Sequence, residues 1–168
     1  MALKAFETVD NGVFAQATGE GRFQTAIRVR DTLILADEPA EVGGGATGPT
    51  PYELLSAALA ACTSMTLRLY AEGKGWTLPP FSVEVAHSVV PDAASGRPRD
   101  RFDRHLAFAE PLDPVRHAKL LEIADKCPVH RTLMRGFEIR TTLGPPDRHP
   151  SGEPPAEHER QMEQACAD

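Results

Sequence analysis

Apolar and polar positions alternate from Phe23 to Arg30. Phe23, Thr25, Ile27 and Val29 fall on one side, and Gln24, Ala26, Arg28 and Arg30 on the other. A period of two predicts a half-buried strand. Val13 to Thr18 and Thr32 to Ala36 are also extended in character, and breaks at Gly19-Glu20-Gly21 and Arg30-Asp31 make the first third a meander. From Pro51 to Glu72 the period changes: Leu55, Leu59, Cys62, Thr66 and Leu69 share one face of a helix. Alanines fill much of the opposite side, so the upstream half is expected to be enclosed all round. Thr50 suits the N-cap, Pro51 the first helical position, and Glu53 completes a Thr-x-x-Glu capping box. Gly73 and Gly75 end the helix.

Alternation returns from Phe81 to Val90, with Phe81, Val83, Val85 and His87 on one face. After a polar turn from Asp92 to Asp100, Phe102, Leu106 and Phe108 mark another strand. Asp113-Pro114 opens a second helix with the stripe Leu120, Leu121, Ile123 and Ala124. Pro128 disfavours helix at Cys127 and begins a short third helix closed by Gly136. Phe137, Ile139, Thr141 and Leu143 predict a last strand. The order β-β-β-α-β-β-α-α-β groups strands instead of alternating them with helices, which predicts an α+β fold with antiparallel sheets.

Composition bounds the function. A chain of 168 residues, 41% hydrophobic, suits one domain with a real core. That domain is expected over residues 1–143. Residues 144–168 form an acidic tail with five prolines, expected to be disordered apart from a nascent helix near Glu157 to Ala165. The tail's six acidic residues against Arg148 and Arg160 carry −4 of the net −6. No basic stripe remains to meet nucleic acid. The nearly uncharged run Leu54 to Leu67 is shorter than the ~20 residues of a membrane span. Three cysteines do not make a disulfide scaffold, and no apolar signal core opens the chain. A cytoplasmic protein with no membrane or nucleic-acid partner is expected. The loop Gly43-Gly44-Gly45-Ala46-Thr47-Gly48-Pro49 lacks the lysine of a phosphate-binding loop and reads as a closely packed connector.

Two cysteines carry the candidate chemistry. Cys62 lies in an uncharged helix among Ala57, Ala58, Ala60, Ala61 and Ser64, which leave room for another helix or a small substrate. Cys127 must be extended before Pro128 yet directly precedes a helix, so the helix dipole favours its thiolate. Lys126, His130 and Arg131 stand nearby. Brought together, the two thiols would reduce an oxidant and close a disulfide. Two unrelated structural cysteines remain an alternative. So does a zinc site of Cys62, Cys127 and His130, although it lacks a fourth ligand and the usual close Cys-x-x-Cys spacing. A Cys127–His130 nucleophile pair would suit a hydrolase but has no evident orienting group. His87 reads as a core histidine, and Cys166 has no scaffold to hold it. No cofactor and no metal are expected.

Gly48-Pro49-Thr50-Pro51-Tyr52-Glu53-Leu54-Leu55, running into Ala60-Ala61-Cys62-Thr63-Ser64-Met65, resembles the central helix of the OsmC/Ohr superfamily. Ala124-Asp125-Lys126-Cys127-Pro128-Val129-His130 resembles its second-cysteine region. Order, spacing and flanking strands agree from Val13 to Leu143, and the wording is closest to the OsmC-like branch. The resemblance implies an intertwined homodimer, with a strongly curved antiparallel sheet from each chain around two central helices. It implies a thiol-dependent peroxidase for organic hydroperoxides, with Cys62 peroxidatic, Cys127 resolving and an external dithiol as reductant. It also implies a supporting arginine from the amino-terminal strands, for which Arg22 is the nearest match ahead of Arg28 and Arg30, and a partnering glutamate. The glutamate of that family lies one position further from the first cysteine than Glu53, where this chain has Tyr52. One residue of offset turns a helical side chain by about 100°, and Glu53 already has a capping role. The other class on the same fold is a dimeric small-ligand-binding or redox-sensing module without turnover.

Overall fold

The structure, a computed structural model, describes residues 12–144 and 158–167. These fall into two compact units, one within 1–54 together with 143–144, the other within 55–142 together with 158–167. The fold class is α+β, with every strand pair antiparallel.

In the first unit β1 (Val13–Ala17), β2 (Thr25–Val29) and β3 (Thr32–Ala36) form the expected meander in that order. Arg30 takes φ +53° in the two-residue turn between β2 and β3, as tight hairpins require. Thr25, Ile27 and Val29 stay only half-buried, whereas Ala26 on the other face is enclosed. Leu33 and Leu35 are exposed.

The glycine-rich loop is a tightly packed connector. The buried Asp37 carboxylate accepts the backbone N–H groups of Glu38 (2.8 Å), Gly45 (3.0 Å) and Thr47 (3.3 Å) and the Thr47 hydroxyl (2.8 Å). A Cβ on Gly44 would lie 1.8 Å from Glu38 O, and one on Gly48 would lie 1.9 Å from Leu35 O. Backbone proximity therefore explains these two glycines without an anion.

Helix α1 (Pro51–Gly73) begins with the expected reciprocal cap. Thr50 Oγ1 accepts the Glu53 N–H at 3.2 Å, and a Glu53 carboxylate oxygen accepts the Thr50 N–H at 2.7 Å. It stops where Trp76 N–H closes on Ala71 O across Gly75 at φ +65°. In the second unit β4 (Phe81–Pro91) pairs along its whole length with β5 (Pro98–Phe108). Register puts Phe81, Val83, Val85 and His87 beside Phe108, Leu106, Arg104 and Phe102. Asp113 caps α2 (Pro114–Asp125) by accepting the N–H groups of Val115 and Arg116. A core of Leu67, Tyr70, Leu120, Ile123 and Ala124 packs against Trp76, Phe81, Leu106 and Phe108. The short helix α3 (Pro128–Arg135) and α4 (His158–Cys166) complete the unit.

Three expectations are corrected. No strand forms over Phe137 to Leu143; Phe137, Ile139 and Leu143 are exposed there, and an extended segment needs a paired neighbour to satisfy its backbone. Helix α1 is not enclosed all round, because cover lies on the side of Leu59, Cys62, Thr66 and Leu67 and leaves Leu55, Ala57, Ala58, Ala61 and Met65 exposed. Cys166 does have a scaffold: it sits at the end of α4, partly buried, with its Sγ 3.8 Å from Thr66 O. The remainder of the expected disordered tail, residues 145–157, lies outside the described residues. Length and apolar composition alone would allow α1 to cross a membrane, but its Leu67 and Tyr70 belong to the core just described.

Candidate active site

Cys62 enters the site from the fourth turn of α1, and Cys127 stands at the N-cap of α3 with Pro128 at its first position. Pro128 holds Cys127 extended, at φ −50° and ψ 129°, just where the first N–H groups of α3 have no intrahelical partner. Their sulfurs lie 2.7 Å apart, against the ~2.05 Å of a formed disulfide. Both are free thiols, 3% and 0% exposed. Leu59, Val85, Phe102, Val129 and Leu133 enclose them.

The pair ionises as a unit. Cys127 falls below the ordinary thiol value, chiefly because the Cys62 thiol hydrogen-bonds to it; the His130 and Val129 N–H groups and the Thr63 hydroxyl add to this, and burial opposes it. Cys62 is pushed up, first by its hydrogen bond with Cys127 and then by burial, against the Val129 N–H and the Thr66 hydroxyl. Val129 N–H reaches Cys62 Sγ at 3.5 Å. One proton is therefore lost easily and the second is retained, because two thiolates in contact repel. The first charge belongs on Cys127, which stands at the N-terminus of α3.

Arg104 was not singled out from the sequence. It occupies a core-face position of β5 between Phe102 and Leu106, and its side chain is 13% exposed. Its Nη1 donates to Thr63 Oγ1 (3.1 Å) and Ala124 O (2.9 Å), and its Nη2 donates to Asp125 Oδ1 (2.7 Å). The available signal was a charge in phase with Phe102, Leu106 and Phe108, since such a residue is buried only when paired.

Arg22, the arginine suggested by resemblance, is exposed between β1 and β2 with its guanidinium 4.9 Å from the Phe23 ring centroid. Glu53 is exposed in the first turn of α1, and the hydrogen bonds of the Thr50 cap hold its carboxyl below the usual range. His87 Nε2 meets Asp100 Oδ1 at 2.8 Å, and its ring packs on Phe102 at 4.9 Å, so it is a satisfied histidine in the wall. His130 Nδ1 lies 4.0 Å from Asp125 Oδ1, beyond hydrogen-bond reach, and that oxygen is held by Arg104 at 2.7 Å. Among the described residues, no three His, Cys, Asp or Glu side chains are grouped to hold a metal. An open cleft of about 730 Å³ borders Arg68, Trp76 and Phe81, and neither cysteine lines it.

The arrangement can exchange one proton between two sulfurs and close a disulfide with little movement. Similar folds are known. An OsmC-like protein of Mycoplasma pneumoniae is 23% identical with TM-score 0.61, covering 73% of this chain and 86% of that one. An organic hydroperoxide resistance protein OsmC of Legionella pneumophila is 20% identical with TM-score 0.56, covering 73% and 88%. The organic hydroperoxide resistance protein OhrB of Bacillus subtilis is 22% identical with TM-score 0.55, covering 72% and 87%. No curated protein matches the sequence. Residues 43–142, which include both cysteines and Arg104, match the family described as OsmC-like protein. The chain belongs to the OsmC-like family.

Proposed function

We propose that the protein is a cofactor-free, thiol-dependent peroxidase that reduces organic hydroperoxides through a Cys62–Cys127 disulfide. The observation that carries this reading is the 2.7 Å approach of two free thiols, remote in sequence, at the start of α3. The names of the related structures, which refer to organic hydroperoxide resistance, point the same way. The apolar side chains of Leu59, Val85, Phe102 and Leu133 suit an alkyl substituent better than hydrogen peroxide.

In the cycle, the shared proton moves to Cys127, leaving a thiolate on Cys62. That thiolate attacks the terminal peroxide oxygen, the O–O bond breaks, and Cys62 becomes a sulfenic acid. The departing alkoxide takes the proton from Cys127 and leaves as alcohol. Cys127 thiolate then attacks the Cys62 sulfur; hydroxide departs, is protonated to water, and the disulfide forms. The peroxide gains two electrons and the two thiols lose two. An external dithiol returns them by exchange at the disulfide. Arg22 and Glu53 join the proposed machinery only by resemblance, and the cap on Glu53 argues for a structural role. A cytoplasmic homodimer is the setting this reading adopts.

One observation favours a second reading. Both sulfurs are almost fully enclosed, which would suit a sensor that is oxidised once and slowly. Consumption of cumene hydroperoxide in the presence of excess dithiol separates the two. Continuous turnover that is lost in Cys62→Ser supports the peroxidase. A single stoichiometric oxidation with no turnover refutes it in favour of the sensor.

A further inference from the structure

Arg104 has more hydrogen-bond partners than a surface arginine and faces the apolar side of its hairpin. One of those partners, Thr63, is fully buried and directly follows Cys62 in α1. The Arg104 guanidinium donates to the Thr63 oxygen at 3.1 Å, which ties β5 to the helix that carries Cys62. The second partner, Ala124 O, also accepts the Cys127 N–H at 3.3 Å, so the same guanidinium grips the turn that carries the cysteine. The third, Asp125, accepts from Nη2 at 2.7 Å at the end of α2.

We propose that Arg104 is a positioning residue for the thiol pair: through Thr63 it holds the helix that carries Cys62, and through Ala124 and Asp125 it holds the α2–α3 junction that carries Cys127, so that the two sulfurs stay in register. This assigns the cationic support of the site to a residue of this chain's fifth strand. The inference rests on Cys127 being a redox thiol. The titratable and charged groups around Cys127 are Cys62 from α1, Arg104 from β5, and Asp125, Lys126, His130 and Arg131 from the α2–α3 junction and α3. Val85 and Phe102 complete the wall from β4 and β5. Cys166, on α4, adds a third titrating thiol.

The test titrates the reduced protein in a Cys166→Ser background by thiolate absorbance at about 240 nm. Thr63→Val, nearly the same size, is expected to move the first thiol ionisation up by about one pH unit, a tenfold loss of thiolate below the midpoint. Thr63→Ser restores the hydroxyl and is expected to titrate like the parent. Arg104→Gln is the independent arm and is expected to move the ionisation in the same direction. A purely structural arginine would lower thermal stability without moving the titration. The proposal is overturned if folded Thr63→Val or folded Arg104→Gln titrates like the parent. No peroxide enters the measurement, so a protein that fails to turn over peroxide leaves this result readable. Unshifted variants, conversely, would sink the positioning role with peroxidase activity intact.

Discussion

At the scale of single residues, the account turns on which sulfur holds the first negative charge. The contact with Cys62, the neighbouring Thr63 hydroxyl and the N-terminal end of α3 lower the ionisation of Cys127 against its burial; Cys62 is raised by the same contact and by burial. The sign is explicit: thiolate appears as pH rises through the lowered value of Cys127 and disappears as pH falls through it. One equivalent per pair should therefore ionise well below the ordinary thiol value of ~8.5, and a second should not appear near it. Removing that partner by Cys62→Ala should return Cys127 toward ~8.5. Two equivalents titrating together near the ordinary value would contradict the coupling. Glu53 gives a second residue-level prediction, because its carboxylate closes the cap on α1. Thr50→Ala should cost about 1 kcal/mol of stability, read by denaturant unfolding. Glu53→Gln should leave the rate of thiol oxidation by peroxide within about twofold of the parent, whereas a catalytic carboxylate would lose far more, of order 10²-fold.

At the scale of elements, the thiols are held by packing more than by local bonds. Leu67 on α1 and Ile123 on α2 are both fully enclosed in the core next to the site. Leu67→Ala should cost about 2–5 kcal/mol, measured by denaturant unfolding. Much of this framework was legible in the sequence. The Thr50–Glu53 box, Asp113-Pro114 and Cys127-Pro128 mark the helix starts, and period-two alternation located the strands. What escaped was what depends on registry across elements. Arg104 looked like one charge among several in Arg99 to Arg104; its phase with Phe102 and Leu106 hinted at the inner face, and pairing with β4 sets it opposite Val85. Thr63 looked like a neutral helix residue until β5 supplied its partner. The alternation from Phe137 to Leu143 was legible too, but alternation alone gives a strand no edge to bind.

At the scale of the whole molecule, exposed apolar surface stands out. Leu55 and Met65 are each 44% exposed on α1, beside the small residues Ala57, Ala58 and Ala61. Small side chains allow helices to approach closely, and a homodimer as proposed would cover such a face. Sedimentation should show a dimer for the parent chain, and Ala58→Arg should shift it toward monomer; a monomeric parent would refute the proposed assembly. The central claim concerns the sulfurs themselves. Intact mass after one equivalent of cumene hydroperoxide is the most direct measurement. The account predicts a loss of two hydrogens, mapped to a peptide joining Cys62 to Cys127 and absent in both Cys62→Ser and Cys127→Ser. An unchanged mass, a stable gain of oxygen in the parent, or a disulfide that excludes either cysteine would contradict it.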